Sequence, residues 1–165
     1  MNDTSTILLA EDDETDVMLL QRAFADVGIA NPLRVVEDGQ EAIDVLTELQ
    51  SAPGPSDRMP ALIILDLKMP RMTGFEVLQW LREERATRGV PVMILSSSAH
   101  QHDVERSLAH GANLFAVKSP ATSDRLEFAR LVKSWLHFHR LPVACIDGFR
   151  AARTMHANIP LARVM

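Results

Sequence analysis

A single cysteine, Cys145, stands among the 165 residues, so no disulfide can close within the chain and a reducing compartment is expected. No apolar run approaches the roughly 18–20 residues that a bilayer-spanning helix needs. Basic residues are also missing before the first apolar segment, since Met1-Asn-Asp-Thr-Ser-Thr carries none. A signal peptide is therefore not expected, and the expected location is cytoplasmic. Aromatic residues make up only 5%, and no dense basic stripe interleaves with them, which argues against a nucleic-acid reader. The six histidines lack metal-ligand spacing, so a zinc site is not expected. No internal repeat and no low-complexity segment is visible.

What is present describes a globular chain of one ordinary domain, 47% hydrophobic and 24% charged. The charge is uneven. Residues 1–136 carry 13 Lys+Arg against 21 Asp+Glu, a net of −8, whereas residues 137–165 carry 4 Arg against Asp147 alone. A basic tail on an acidic body suits an anionic partner, or the acidic body of a second copy.

Apolar runs and helical periodicities alternate along the chain. Thr6–Ala10 reads as a buried strand ending in Glu11-Asp12-Asp13, and Val17, Leu20, Phe24 and Val27 predict a helix that stops at Gly28. Leu33–Glu37 reads as a second strand, with Ala42, Val45, Leu46 and Leu49 marking a second helix. The polar stretch from Gln50 to Pro60 reads as a surface loop. The third strand, Ala61–Asp66, leads to a helix over 74–85 with Val77, Leu78 and Leu81 on one face. Val90–Leu95 and Asn113–Val117 are the fourth and fifth strands, with a short polar helix over 102–110 between them. A last helix over 124–137 is expected to turn Phe128, Leu131, Val132 and Trp135 inward. Five strands, each followed by a helix, predict an α/β protein with a parallel sheet covered on both faces and right-handed crossovers.

In such a sheet, ligands bind outside the carboxyl ends of the strands. Those ends read Glu11 and Asp12, then Asp66, then Ser96, then Lys118. Three carboxylates and one ammonium leave a charge of about −2, which one divalent cation would offset. Oxygen-only donors favour magnesium (Mg²⁺) or manganese over zinc. A metal, a lysine and a hydroxyl together suit phosphoryl transfer, with the central carboxylate Asp66 as nucleophile.

The same residues carry a resemblance. Leu8-Leu-Ala-Glu11-Asp12-Asp13, Leu65-Asp66-Leu-Lys68-Met-Pro70-Arg-Met-Thr-Gly74, Pro91-Val-Met-Ile-Leu-Ser96 and Val117-Lys118-Ser-Pro120 resemble the receiver domain of two-component response regulators. The resemblance runs from Thr6 to about His137. It implies the flavodoxin-like, doubly wound fold with strand order 2-1-3-4-5. Asp66 would be the phosphoacceptor, and Glu11, Asp12, Asp66 and the backbone carbonyl of Lys68 would hold Mg²⁺. Ser96 and Lys118 would bind the phosphoryl group, and Phe115 would occupy the aromatic position that turns inward on activation. Three features depart from the common pattern: Glu11 where an aspartate is usual, Lys68 beside the phosphoacceptor, and Ser119 between Lys118 and Pro120. Glu11 and the long loop before the third strand are most similar to the small stand-alone regulators paired with phytochrome-type kinases.

The domain expectation is a receiver over 1–139 and an extension over 140–165 acting as a dimerisation arm. The extension carries Leu141, Val143, Ile146, Phe149, Ile159, Leu161 and Val164, and is too short for a DNA-binding output domain. The partners expected are a sensor histidine kinase of phytochrome type and a second copy, joined through the fourth and fifth helices and fifth strand. Neither nucleic acid nor membrane is expected as a partner. The protein would be a phosphoacceptor that catalyses its own phosphotransfer, not a turnover enzyme. The alternatives are a phosphorylation-independent adaptor, a phosphate sink, and a Mg²⁺-dependent phosphatase. The last usually needs a second acid two residues after the nucleophile, where Lys68 stands.

Overall fold

The structure, a computed structural model, describes residues 5–52 and 59–139. Ten elements alternate: β1 (Ile7–Ala10), α1 (Glu14–Val27), β2 (Leu33–Val36), α2 (Gly39–Ser51), β3 (Leu62–Leu65), α3 (Gly74–Glu83), β4 (Val92–Ser96), α4 (Gln101–Ala109), β5 (Leu114–Val117) and α5 (Thr122–His139). The strands form one parallel sheet in the order β2-β1-β3-β4-β5, the flavodoxin-like arrangement. Ile7 lies opposite both Leu33 and Leu62, Ile63 opposite Val92, and Met93 opposite Leu114. β1 and β3 therefore have a strand on each side and helices on both faces. That is why Ile7–Ala10 and Leu62–Leu65 are unbroken apolar runs, buried throughout.

Side chains alternate between the faces of a strand, and the core divides accordingly. Leu8, Ala10, Ile63, Leu65, Val92 and Ile94 pack with Ala42, Leu46, Val77, Leu78 and Leu81 of α2 and α3. Ile7, Leu9, Leu62, Ile64 and Met93 pack with Leu20, Phe24, Phe128, Val132 and Leu136 of α1 and α5. The helix ends follow from local chemistry. Asp13 caps α1 by accepting from the Thr15 and Asp16 amides, and Gly28, at φ 72°, ends it in the left-handed region where a Cβ is unfavourable. Thr73 and Glu76 form a capping box at the start of α3.

Two expectations change. Leu131 does not face inward; it is 41% exposed, and Ala129 and Leu136 complete the buried stripe with Phe128 and Val132. α5 packs on α1 as well as on the sheet, which turns its buried face away from Leu131. Second, α2 continues to Ser51, two residues into the stretch read as loop. Residues 53–58 of that loop lie outside the described residues, as does the extension over 140–165 with its assigned arm. No helix among the described residues is long and apolar enough to cross a membrane.

Candidate functional site

The strand-end residues meet because of strand parity. Glu11 follows Leu9 by two residues, Asp66 follows Ile64 by two, and Lys118 follows Ala116 by two. Leu9, Ile64 and Ala116 all lie on the α1/α5 side of the sheet. Continuing the alternation brings the three functional side chains to one side at one end. The Lys118 Nζ is 2.6 Å from Glu11 Oε2 and 2.8 Å from Asp66 Oδ2. Carboxylate oxygens of Glu11, Asp12 and Asp66 all lie within 4.8 Å of one another. Glu11 and Asp66 are buried, and Asp12 is exposed.

Lys118 has a third partner that the sequence reading missed: Asp16, whose Oδ2 lies 2.9 Å from Nζ. Asp16 stands in the first turn of α1, where its amide donates to the capping Asp13 carboxylate at 3.1 Å. The available signal was an acid in the first turn of a helix that starts beside the site. With Asp16 included, the site holds four carboxylates and one ammonium, so the formal balance is nearer −3 than −2. Burial alone would push the lysine pKa down, but the hydrogen bonds it donates to Asp66, Glu11 and Asp16 outweigh that, and the pKa is raised. Burial raises the Glu11 pKa above the ordinary carboxylate value, against the pull of Lys118. A cation added beside Glu11 would relieve this. Clustered oxygen donors, excess negative charge and a desolvated carboxylate all fit a hard divalent cation.

The loop after β3 is shaped by its glycine. A Cβ on Gly74 would fall 2.1 Å from the Asp66 carbonyl oxygen, so only glycine lets α3 begin so close to the end of β3. The Gly74 amide donates to the Leu67 carbonyl at 3.1 Å, and the Lys68 amide donates to Asp66 Oδ1 at 3.2 Å. Further out, Arg71 holds the left-handed φ of 60° and pairs with the buried carboxylate of Asp38. Asp38 also caps α2, accepting from the Glu41 amide at 2.9 Å. The sequence reading did not single out that pair.

Ser96 ends β4 with its side chain fully buried. Since Leu65 pairs with Ile94, Ser96 lies one residue beyond the level of Asp66 at the same end of the sheet. Its carbonyl accepts from the Lys118 amide at 2.8 Å, and its Oγ accepts from the Ser98 amide at 3.3 Å. Ser98 in turn donates to Asp103 of α4 at 2.5 Å. Phe115 is half-buried against the α2/α3 side of the core. The side chains of Lys68, His100 and His102 are exposed. Ser119 builds the start of α5, donating to Asp124 at 2.5 Å while accepting from the Ala121 amide at 3.2 Å. All described peptides are trans.

This sheet with these acids at its carboxyl edge defines a recognisable class, and residues 7–129 match the response regulator receiver domain model. The chain belongs to the response regulator receiver domain family. It is similar to the response regulator Rcp1 of Synechocystis sp., with 31% identity over 147 residues, 87% of this chain and 97% of that one. It is also similar to the probable methanogenesis regulatory protein FilR2 of Methanothrix harundinacea, with 31% identity over 141 residues, 85% of this chain and 89% of that one. Among solved structures, the Mn²⁺-bound form of Rcp1 superposes with a TM-score of 0.70 at 30% identity, covering 84% of this chain and 99% of that one. The phosphorylated cyanobacterial phytochrome response regulator RcpA gives 0.69 at 27% identity, covering 83% and 96%. The similarity to phytochrome-associated response regulators thus extends over sequence and fold.

Proposed function

We propose that the chain is a response regulator receiver that takes a phosphoryl group onto Asp66 from a phosphohistidine of a partner kinase. The observation that carries this reading is the meeting of Asp66 with Glu11, Asp12 and Lys118 at one sheet edge. An Asp66 carboxylate oxygen forms the new P–O bond as the N–P bond of the donor breaks, and the imidazole leaves. Lys118 neutralises charge on the phosphoryl oxygens, and Ser96 supplies a hydroxyl to one of them. Glu11, Asp12, Asp66 and the Lys68 carbonyl would hold Mg²⁺, which would offset the negative charge brought together there. A manganese-bound relative and a phosphorylated one support both parts of the reading.

In this reading residues 1–139 are the receiver, and 140–165 an extension that packs on a second copy together with α4, β5 and α5. The phosphoryl group alters the α4–β5–α5 surface and with it the dimer. The protein acts in the cytoplasm and the kinase is a sensor histidine kinase of phytochrome type, a pairing supported by the phytochrome regulators among the similar structures. A phosphorylation-independent adaptor fits less well, because the acids and the lysine are all in place, whereas a phosphate sink would use the same site. The test is incubation with Mg²⁺ and a small phosphodonor, followed by intact mass. One phosphate adduct is expected, lost with chelator and in Asp66→Asn. An adduct that survives Asp66→Asn, or none with any donor, would overturn the reading.

A further inference from the structure

A lysine ammonium has three N–H donors and no more. In Lys118 all three have a carboxylate in reach: Glu11 at 2.6 Å, Asp66 at 2.8 Å and Asp16 at 2.9 Å. A phosphoryl oxygen arriving on Asp66 is a new acceptor, so one of these partners must give way. The three differ in how easily water can replace the lysine. The side chains of Glu11 and Asp66 are 3% and 5% exposed, while that of Asp16 is 40% exposed. Asp16 also stands in the first turn of α1, where the helix N-terminus stabilises a free carboxylate.

We propose that Asp16 is the displaceable partner of Lys118, holding the ammonium while Asp66 is unmodified and competing with the phosphoryl group for it afterwards. This positioning role rests on the phosphoacceptor reading of Asp66. It has two consequences. Asp16 draws the lysine back and repels the phosphoryl dianion, so it shortens the life of the phosphorylated state. Its release also uncouples the start of α1 from the end of β5, which Lys118 otherwise joins.

The test compares wild type, Asp16→Asn and Asp16→Glu, each phosphorylated with acetyl phosphate and Mg²⁺ and then followed by intact mass after donor removal. At low salt the Asn variant should hold its phosphate about fivefold longer than wild type, with the gap narrowing at high salt as the charge is screened. Asp16→Glu should stay within about twofold of wild type, since it restores the charge. Thermal unfolding of the unmodified proteins separates the alternative role. A lower midpoint for Asp16→Asn with an unchanged phosphate lifetime would mean that Asp16 only supports the helix, and would overturn the proposal. A shorter lifetime would overturn it too. Wild type that takes up no phosphate would instead refute the phosphoacceptor reading, and this inference with it.

Discussion

The two halves of the sheet are built differently. β1 and β3, which carry Glu11, Asp12 and Asp66 at their ends, are buried at every position. On the other side, α4 buries only Ser107, and no residue of β5 is fully buried. Leu108, Val117, Leu131 and Phe138 lie 41–63% exposed on α4, β5 and α5. Side-chain contacts that tie α4 down include the hydrogen bond from Ser98 to Asp103 and the Arg106 guanidinium 4.0 Å above the Phe75 ring of α3. Fixed charges thus stand on a rigid wall, and the face beside Ser96 and Phe115 is held by fewer buried contacts. Regions with little apolar burial open at lower free energy. The fold places its acids where positions are best defined and its exposed apolar surface where change is cheapest.

The comparison can be broken by mutation, beginning with the core. Ile64→Ala removes a fully buried β3 side chain and should cost about 4 kcal/mol in urea unfolding. Leu108→Ala on α4 should stay within about 0.5 kcal/mol. Equal losses would mean that the two halves are equally well packed. A smaller effect is expected at the site loop. Gly74→Ala must displace either the Asp66 carbonyl or the start of α3, at about 2 kcal/mol. Gly89→Ala, whose Cβ would meet nothing within 4 Å, should leave stability nearly unchanged and serves as the control.

The smallest effect concerns Asp38. Burial would raise its pKa, but the Glu41 amide and Arg71 outweigh that and hold it below the ordinary value. A carboxylate depressed in the folded state stabilises it above the unfolded pKa of about 3.9, and loses that contribution as pH falls through the lower folded value. Asp38→Asn keeps a capping side chain and discards the charge. Its stability should therefore trail wild type modestly near pH 7, and the gap should close below about pH 4. A gap that does not narrow as pH falls below about 4 would assign the effect to the cap alone.

Much of this was legible in the residues. The apolar runs ending on Glu11, Asp66 and Lys118 announced both the sheet and its working edge, because strands buried on both faces leave no other place for such groups. Gly28 marked a helix end through chemistry that acts within one turn. Asp16 and the Arg71–Asp38 pair were not legible, since each joins positions set only by the fold. Leu131 misled because one helical stripe reads alike whether the helix meets a sheet alone or a sheet and a neighbouring helix. Gly74 was visible as the start of a helix, but the approach of the Asp66 carbonyl that requires a glycine there was not.

The central claim is that a rigid acidic wall does the chemistry while the α4–β5 side responds. Hydrogen–deuterium exchange, measured with and without phosphorylation in Mg²⁺, tests it directly. Exchange should change in peptides covering residues 101–117 and stay the same in β1 and β3. Equal changes in β1 and β3, or no change over 101–117 in fully phosphorylated protein, would contradict it.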